Sequence, residues 1–155
     1  MIQSKFIALF LLCAAALPLS AAQETSLALI KPNAVAAKHV GEIITSFEES
    51  GLSVTGLKMT QFTPKKAGQF YQEHRERPFF KDVVDFMSSG PIVAIRVEGE
   101  QAVTKVRELL GATNPKEARL GTLRARFGDS LSENGTHGSD SVSSATRELA
   151  FFFGS

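Results

Sequence analysis

Apolar residues along this chain fall into continuous runs and spaced rows that alternate with one another. Ser26-Leu27-Ala28-Leu29-Ile30 is a continuous run stopped by Lys31-Pro32, the pattern of a central strand ending at a loop. Val40, Ile43, Ile44 and Phe47 then repeat at helical spacing, with Gly51 where such a helix would end. Leu52 to Phe62 mixes Val, Thr, Leu and Met as a second strand. Thr63-Pro64 reads as a cap with proline in the first turn, opening a helix with Ala67, Phe70, Tyr71 and His74 on one face. After a break at Arg77-Pro78, Phe80, Val83, Val84 and Met87 form another helical face, closed by Ser88-Ser89-Gly90. Pro91 to Val97 is the clearest strand. Val103, Val106 and Leu110 align on a further helix that runs to Gly111. From Ala112 to Asn134 periodicity is lost in a loop longer than ordinary connections, which points to a functional segment. Thr136 to Asp140 reads as a short last strand, and Ser141 caps a final helix through Leu149.

The order β-α-β-α-α-β-α-loop-β-α is not a run of simple parallel crossovers. It predicts an α/β (α+β) ferredoxin-like sandwich, with a four-stranded antiparallel sheet covered by helices.

The N-terminus departs from this pattern. Lys5 precedes an apolar run from Phe6 to Leu19, followed by Ser20-Ala21-Ala22 and polar Gln23. A charged start, a greasy middle and small residues at the end predict a cleavable secretory signal over residues 1–22, leaving 23–155 as one domain. The run is short for a membrane anchor, since a span needs about 20 residues. Cys13 lacks a small residue before it, which argues against lipid attachment there. On this reading the protein is exported, to a periplasm or beyond the cell.

Composition narrows the function classes. The chain of 155 residues is 43% hydrophobic and 21% charged, with 12 Phe, so it has the means to bury a core. Its single Cys excludes an internal disulfide and a cysteine-held zinc. Lys5 is the only charge in the first 22 residues, so the rest of the chain is balanced in charge. A balanced chain does not carry the footprint of a nucleic-acid binder. Attraction to an anionic ligand must then come from local placement of basic residues.

Three histidines lie beyond residue 22. His39 sits beside Lys38 at a helix start and reads as a surface residue, and His74 lies in the charge run Glu73-His74-Arg75-Glu76-Arg77, a solvated helix end. His137 is different, because Gly135 and Gly138 leave its ring open to another molecule. Ser139, two places on, is placed to orient the imidazole, and helical Glu148 is placed to return to its other nitrogen. A histidine in a turn is more often structural than catalytic, and on the residues alone both readings stay open. Ser139, Asp140 and Ser141 beside His137 also suggest a hydrolase triad, a weak reading without a G-x-S-x-G elbow.

Lys31 ends a buried strand, where a lone ammonium is costly unless it meets an anion. Arg107 stands among apolar helix positions, and Thr113, Arg124 and Arg126 come from the long loop. Singly each reads as a surface charge or ion-pair partner; together they offer a donor-rich cavity suited to phosphate oxygens. Neither a P-loop nor a G-x-G-x-x-G fingerprint is present to hold that phosphate.

Asn134-Gly135-Thr136-His137-Gly138-Ser139-Asp140 resembles the active-site signature of nucleoside diphosphate kinases. The same family is echoed by Ile30-Lys31-Pro32-Asn33-Ala34-Val35, Glu76-Arg77-Pro78-Phe79-Phe80, Ser89-Gly90-Pro91 and Gly111-Ala112-Thr113-Asn114-Pro115, collinear from about Leu27 to Phe152. The resemblance implies transfer of the γ-phosphate of a nucleoside triphosphate, chiefly ATP, to a nucleoside diphosphate by a ping-pong route through a phosphohistidine. It implies His137 as the nucleophile and Glu148 as the holder of its other ring nitrogen. Lys31, Tyr71, Arg107, Thr113 and Arg124 match the family's phosphate contacts, Asn134 and Lys31 its ribose-hydroxyl contacts, and Phe79 the ring that stacks on the base. It further implies Mg²⁺ carried mainly by the nucleotide phosphates rather than by protein ligands, and a homo-oligomer, tetramer or hexamer, with Phe151-Phe152-Phe153 covered by a neighbour.

Departures concern assembly more than chemistry. Leu120 stands where the family commonly has a proline, Arg126 where it often has an acidic or small residue, and Ser143 where it often has Glu. The leader is the larger departure, because the family default is cytoplasmic. The alternative to an active exported kinase is an exported non-catalytic nucleotide-binding or interaction protein that retains the fold. Asn134-Gly135-Thr136 is also a glycosylation sequon, and a glycan there would block the site, so bacterial-type export is expected.

Overall fold

A computed structural model describes residues 22–154. Apart from Ala22, the leader expected over residues 1–22 lies outside the described residues. The elements run β1 (Gln23–Ile30), α1 (Pro32–Ala36), α2 (Val40–Glu49), β2 (Ser53–Gln61), α3 (Pro64–Phe70), α4 (Phe80–Met87), β3 (Pro91–Glu100), α5 (Ala102–Leu110), α6 (Leu123–Phe127), β4 (Thr136–Gly138) and α7 (Val142–Phe153), with a 3₁₀ turn at Gln72–His74.

The four strands form one sheet in the order β2-β3-β1-β4, every pair antiparallel. This is the expected α+β sandwich. β1 lies in the middle and is covered on both faces, which is why Ser26 to Ile30 reads as an unbroken apolar run. Ala28 and Ile30 pack with Ile43 and Phe47 of α2 and Val106 and Leu110 of α5. Leu27 and Leu29 face the other way, onto Phe62, Phe70, Ala145, Leu149 and Phe152. Each fully buried Leu, Ile or Phe contributes about 1.5–3 kcal/mol relative to exposure. β2 is an edge strand, and its Leu57 and Met59 are exposed.

Local signals set the ends of the helices. The Thr63 hydroxyl accepts from the Lys66 amide at 3.2 Å ahead of Pro64, and the Ser141 hydroxyl accepts from the Ser144 amide at 3.1 Å at the start of α7. Among the described residues no helix is long and apolar enough to cross a membrane.

Several boundaries differ from expectation. α1 and α6 have five residues each, too short to show a helical period, and α6 lies inside the segment read as loop. α3 stops at Phe70, so Tyr71 caps it and His74 belongs to the following 3₁₀ turn rather than to one continuous helical face. β4 is only Thr136–Gly138, held against β1 with His137 opposite Leu29. α7 continues to Phe153, because Leu149 and Phe152 stay buried against β1's face while Phe151 is partly exposed.

Two glycines let β4 sit this close to its neighbours. A Cβ on Gly138 would lie 2.7 Å from Cγ1 of Val106, and one on Gly135 would lie 2.7 Å from the Phe127 carbonyl oxygen. Gly135 also has φ +78°, a conformation that side chains resist.

Candidate active site

His137 projects from the middle of β4 toward α7. Its Nε2 lies 3.2 Å from Oε2 of Glu148, and the Ser139 hydroxyl donates to that same oxygen at 2.6 Å. Glu148 is 4% exposed. Burial alone would raise its pKa, but hydrogen bonds from His137 and Ser139 and the charges of His137 and Arg147 hold the carboxyl below its usual range. An ionised carboxylate only accepts, so Nε2 carries a proton, and in the neutral ring the lone pair is then on Nδ1. Phe70 and Tyr71 meet the imidazole edge-on, with ring centroids at 5.6 and 6.1 Å. The ring is therefore fixed in both tautomer and orientation.

Cations converge in front of it. Lys31 ends β1 with 9% exposure, and its backbone amide donates to the Gly135 carbonyl at 2.9 Å. Burial, helped by the charge of Arg124, pushes its pKa down to about 7. Arg124, on α6, is 4% exposed and donates only to carbonyls: Nη1 to Gly111 at 3.1 Å, Nη2 and Nε to Thr136 at 3.2 and 3.4 Å. Burial and the nearby charge of Arg107 lower its pKa to about 10. Among the described residues, neither Lys31 nor Arg124 has a carboxylate partner. Buried positive charge left uncompensated by the protein marks a place for an anion.

Polar atoms complete the wall. The Tyr71 hydroxyl and Oδ1 of Asn134 are buried without protein partners, while Asn134 Nδ2 donates to the Thr113 carbonyl at 2.9 Å. Burial pushes the Tyr71 hydroxyl pKa up, so it stays protonated. Phe79 stands at the mouth, 47% exposed, with the His74 ring 5.8 Å away. The cleft has a volume of about 340 Å³. A larger hollow of about 490 Å³ beside Leu109 and Arg119–Thr122 is more open to solvent.

A sequence model of the family described as nucleoside diphosphate kinase matches residues 24–155. A nucleoside diphosphate kinase of Legionella pneumophila (strain Lens) is 56% identical over 132 residues, covering 85% of this chain and 94% of its own. Nucleoside diphosphate kinase 1 of Protochlamydia amoebophila (strain UWE25) is 52% identical over 132 residues, with the same shares covered. The solved Aquifex aeolicus nucleoside diphosphate kinase, in an orthorhombic crystal form, superposes with a TM-score of 0.84 at 47% identity, covering 85% of this chain and 96% of that one.

The chain belongs to the nucleoside diphosphate kinase family.

Nine of the residues singled out from the sequence line this one cleft: Lys31, Tyr71, Phe79, Arg107, Thr113, Arg124, Asn134, His137 and Glu148. Arg126, grouped with them in the sequence, lies outside it, with Nη2 donating to Glu42 at 3.0 Å and its guanidinium over the Phe127 ring. The nucleoside diphosphate kinase cleft also holds residues that the sequence reading passed over. His74 lines it beside Phe79 rather than ending a solvated helix. Its only sequence signal is its place three residues after Tyr71. Asp140 lines it too, its carboxyl kept below the usual range first by a hydrogen bond from Ser144, with Ser141 and Arg107 adding to the effect. The hydrolase reading is displaced: His137 pairs with Glu148, Ser139 donates to Glu148, and Ser141 is a helix cap. His39 is not a plain surface residue, since its ring packs 4.4 Å from that of Phe127 and Nδ1 lies 3.0 Å from Glu42.

Proposed function

We propose that His137 carries the phosphoryl group between nucleotides in two half-reactions. Nδ1 attacks the γ-phosphorus of a nucleoside triphosphate, the N–P bond forming as the bond to the β,γ-bridging oxygen breaks and the diphosphate leaves. A terminal phosphate oxygen of a second nucleoside diphosphate then attacks that phosphorus, and the N–P electron pair returns to Nδ1. A neutral imidazole attacks well near neutral pH, and its phosphoramidate is labile enough to pass the group on. Throughout, Nε2–H stays on Glu148, whose charge offsets the positive charge that grows on the phosphorylated ring. The observation that carries this reading is the Ser139–Glu148–His137 arrangement, with Nδ1 left for the cleft where Lys31 and Arg124 lie unpaired.

Lys31, Tyr71, Arg107, Thr113 and Arg124 serve as phosphate contacts, acting on charge that spreads over the transferring group. Asn134 and Lys31 take the ribose hydroxyls, supported by the partnerless Oδ1 of Asn134. Phe79 stacks on the base with a face that reads no base edge, which suits purines and pyrimidines alike. Mg²⁺ on the nucleotide supplies charge neutralisation. Such an ion keeps several of its waters and binds through phosphates with one or two carboxylates at most. Glu73 and Asp140 are the carboxylates on the cleft wall that those waters would meet.

Export through a leader at residues 1–22 and assembly as a tetramer or hexamer belong to the same proposal. The exposed edge side chains Leu57 and Met59, and Leu120 at 92% exposure, support burial against further copies. The test of the chemistry is incubation with γ-labelled ATP alone. An acid-labile, alkali-stable phosphoryl group on wild type and none on His137→Ala is the expected result; equal labelling of the two removes the proposal.

A further inference from the structure

Asn134 is held from both sides by one short segment of chain. The carbonyl that follows it, on Gly135, accepts from the Lys31 amide at 2.9 Å. The carbonyl that precedes it, on Glu133, accepts from Nδ2 of Asn33 at 2.9 Å. The same amide donates to Oδ2 of Asp129 at 2.7 Å, and the Phe127 carbonyl lies at 3.5 Å, too long for a good bond. Both hydrogens of the Asn33 amide are thus spent on the segment 129–133. That segment is a closed turn, in which the Glu133 carbonyl also accepts from the amides of Asp129 and Ser130 at 2.8 and 3.3 Å. It has no strand or helix of its own and is largely exposed. Its tie to Asn33 supplies the rigidity that a surface turn otherwise lacks.

We infer that Asn33 is a positioning residue for the ribose side of the cleft, fixing Asn134 and Lys31 relative to one another. This rests on the reading of Asn134 and Lys31 as ribose contacts. Asn33 does not line the cleft, and its effect passes entirely through the main chain of residues 133–135. Lys31 and Asn134 are far apart in sequence, and the two bonds set their register. Asn134 Nδ2 is held by the Thr113 carbonyl, so what Asn33 adds is the placement of the main chain before Asn134. Without its amide the turn 129–133 loses its tie to residue 33 while residue 135 stays pinned, and the free Oδ1 of Asn134 shifts relative to a sugar hydroxyl. A carboxylate at position 33 would be worse than a methyl group, because it faces the acceptors of Asp129 and Glu133 with no proton to give.

The experiment compares kcat/KM for ATP and for 3′-deoxyATP, with one fixed acceptor, in wild type, Asn33→Ala and Asn134→Ala. Asn33→Ala is expected to lose more with ATP than with 3′-deoxyATP, shrinking the preference for the hydroxyl by about threefold or more, in the direction of Asn134→Ala. Equal losses on both substrates in Asn33→Ala, while Asn134→Ala does shrink the preference, would show a merely structural role and overturn the inference. A preference unchanged in both variants would remove the ribose reading, and this inference with it. Should Asn33→Ala fail to fold, the pair Asn33→Asp and Asn33→Asp/Asp129→Asn decides. The second substitution restores a donor across that contact and is expected to recover part of the preference lost in the first; no recovery would overturn the inference.

Discussion

Arg124 grips the carbonyl of Thr136 with both Nη2 and Nε, at 3.2 and 3.4 Å. Thr136 is the residue before His137, so the guanidinium is fixed directly to the strand that presents the nucleophile. Carbonyls orient a guanidinium without cancelling its charge, and the full positive charge stays available to phosphate.

Replacement of Arg124 by Lys is therefore not conservative. A lysine keeps the charge but cannot span the Gly111 and Thr136 carbonyls together. Arg124→Lys is expected to lower kcat/KM by about 10- to 100-fold, in keeping with about 1.5–3 kcal/mol for a charged hydrogen bond. Steady-state kinetics with ATP and one acceptor check it, and activity within twofold of wild type would contradict this account.

Glu148 acts through charge and tautomer. Glu148→Gln preserves shape but leaves no anion for Nε2–H and Ser139, so kcat is expected to fall by about 10-fold or more with little change in KM. Ser139→Ala removes only one of the two donors, from a site with no exposure, and is expected to cost about 1 kcal/mol of stability with a smaller loss of rate. Denaturant melts together with single-turnover phosphorylation separate the two effects.

Lys31 makes the protein pH-sensitive with a definite sign. Its folded pKa of about 7 lies below the ordinary 10.5, so folding disfavours the charged form. The resulting penalty is absent above the ordinary value, grows as pH falls between the two, and is complete below the folded value. Lys31→Met is expected to raise the Tm relative to wild type more near pH 6 than near pH 10, while abolishing most activity. Nucleotide phosphates favour the ammonium, so binding at about pH 8 should take up a proton. Calorimetry in buffers of differing ionisation heat measures that uptake, and a binding enthalpy independent of buffer would refute it.

Phe79 projects from the rim with 47% exposure, so its removal should leave the fold intact. Phe79→Ala is expected to weaken nucleotide binding by about 1–3 kcal/mol, with similar losses for adenine, guanine and pyrimidine nucleotides. Direct binding titrations test both the size and the evenness of the loss.

The sequence shows some of these features and hides others, for physical reasons. β1 was legible because both its faces are covered, so every residue from Ser26 to Ile30 had to suit the interior. His137 and Glu148 were legible as a pair because eleven positions of chain return α7 to the same strand. α6 was hidden because a single helical turn has no period, and with it the local reason that Arg124 points inward. His74 was hidden because a charge run looks alike in solvent and at a cleft. The two partners of Asn33 lie 96 and 100 positions away, and one of them is a backbone carbonyl, which no side-chain pattern announces.

Lys31 and Arg124 are both buried, neither has a carboxylate partner among the described residues, and they repel. Any polyphosphate that joins the two relieves that repulsion and becomes, in effect, a structural element of the fold. Longevity of the protein should then track the nucleotide supply of its surroundings: well-fed molecules resist heat and proteases, and starved ones are cleared first.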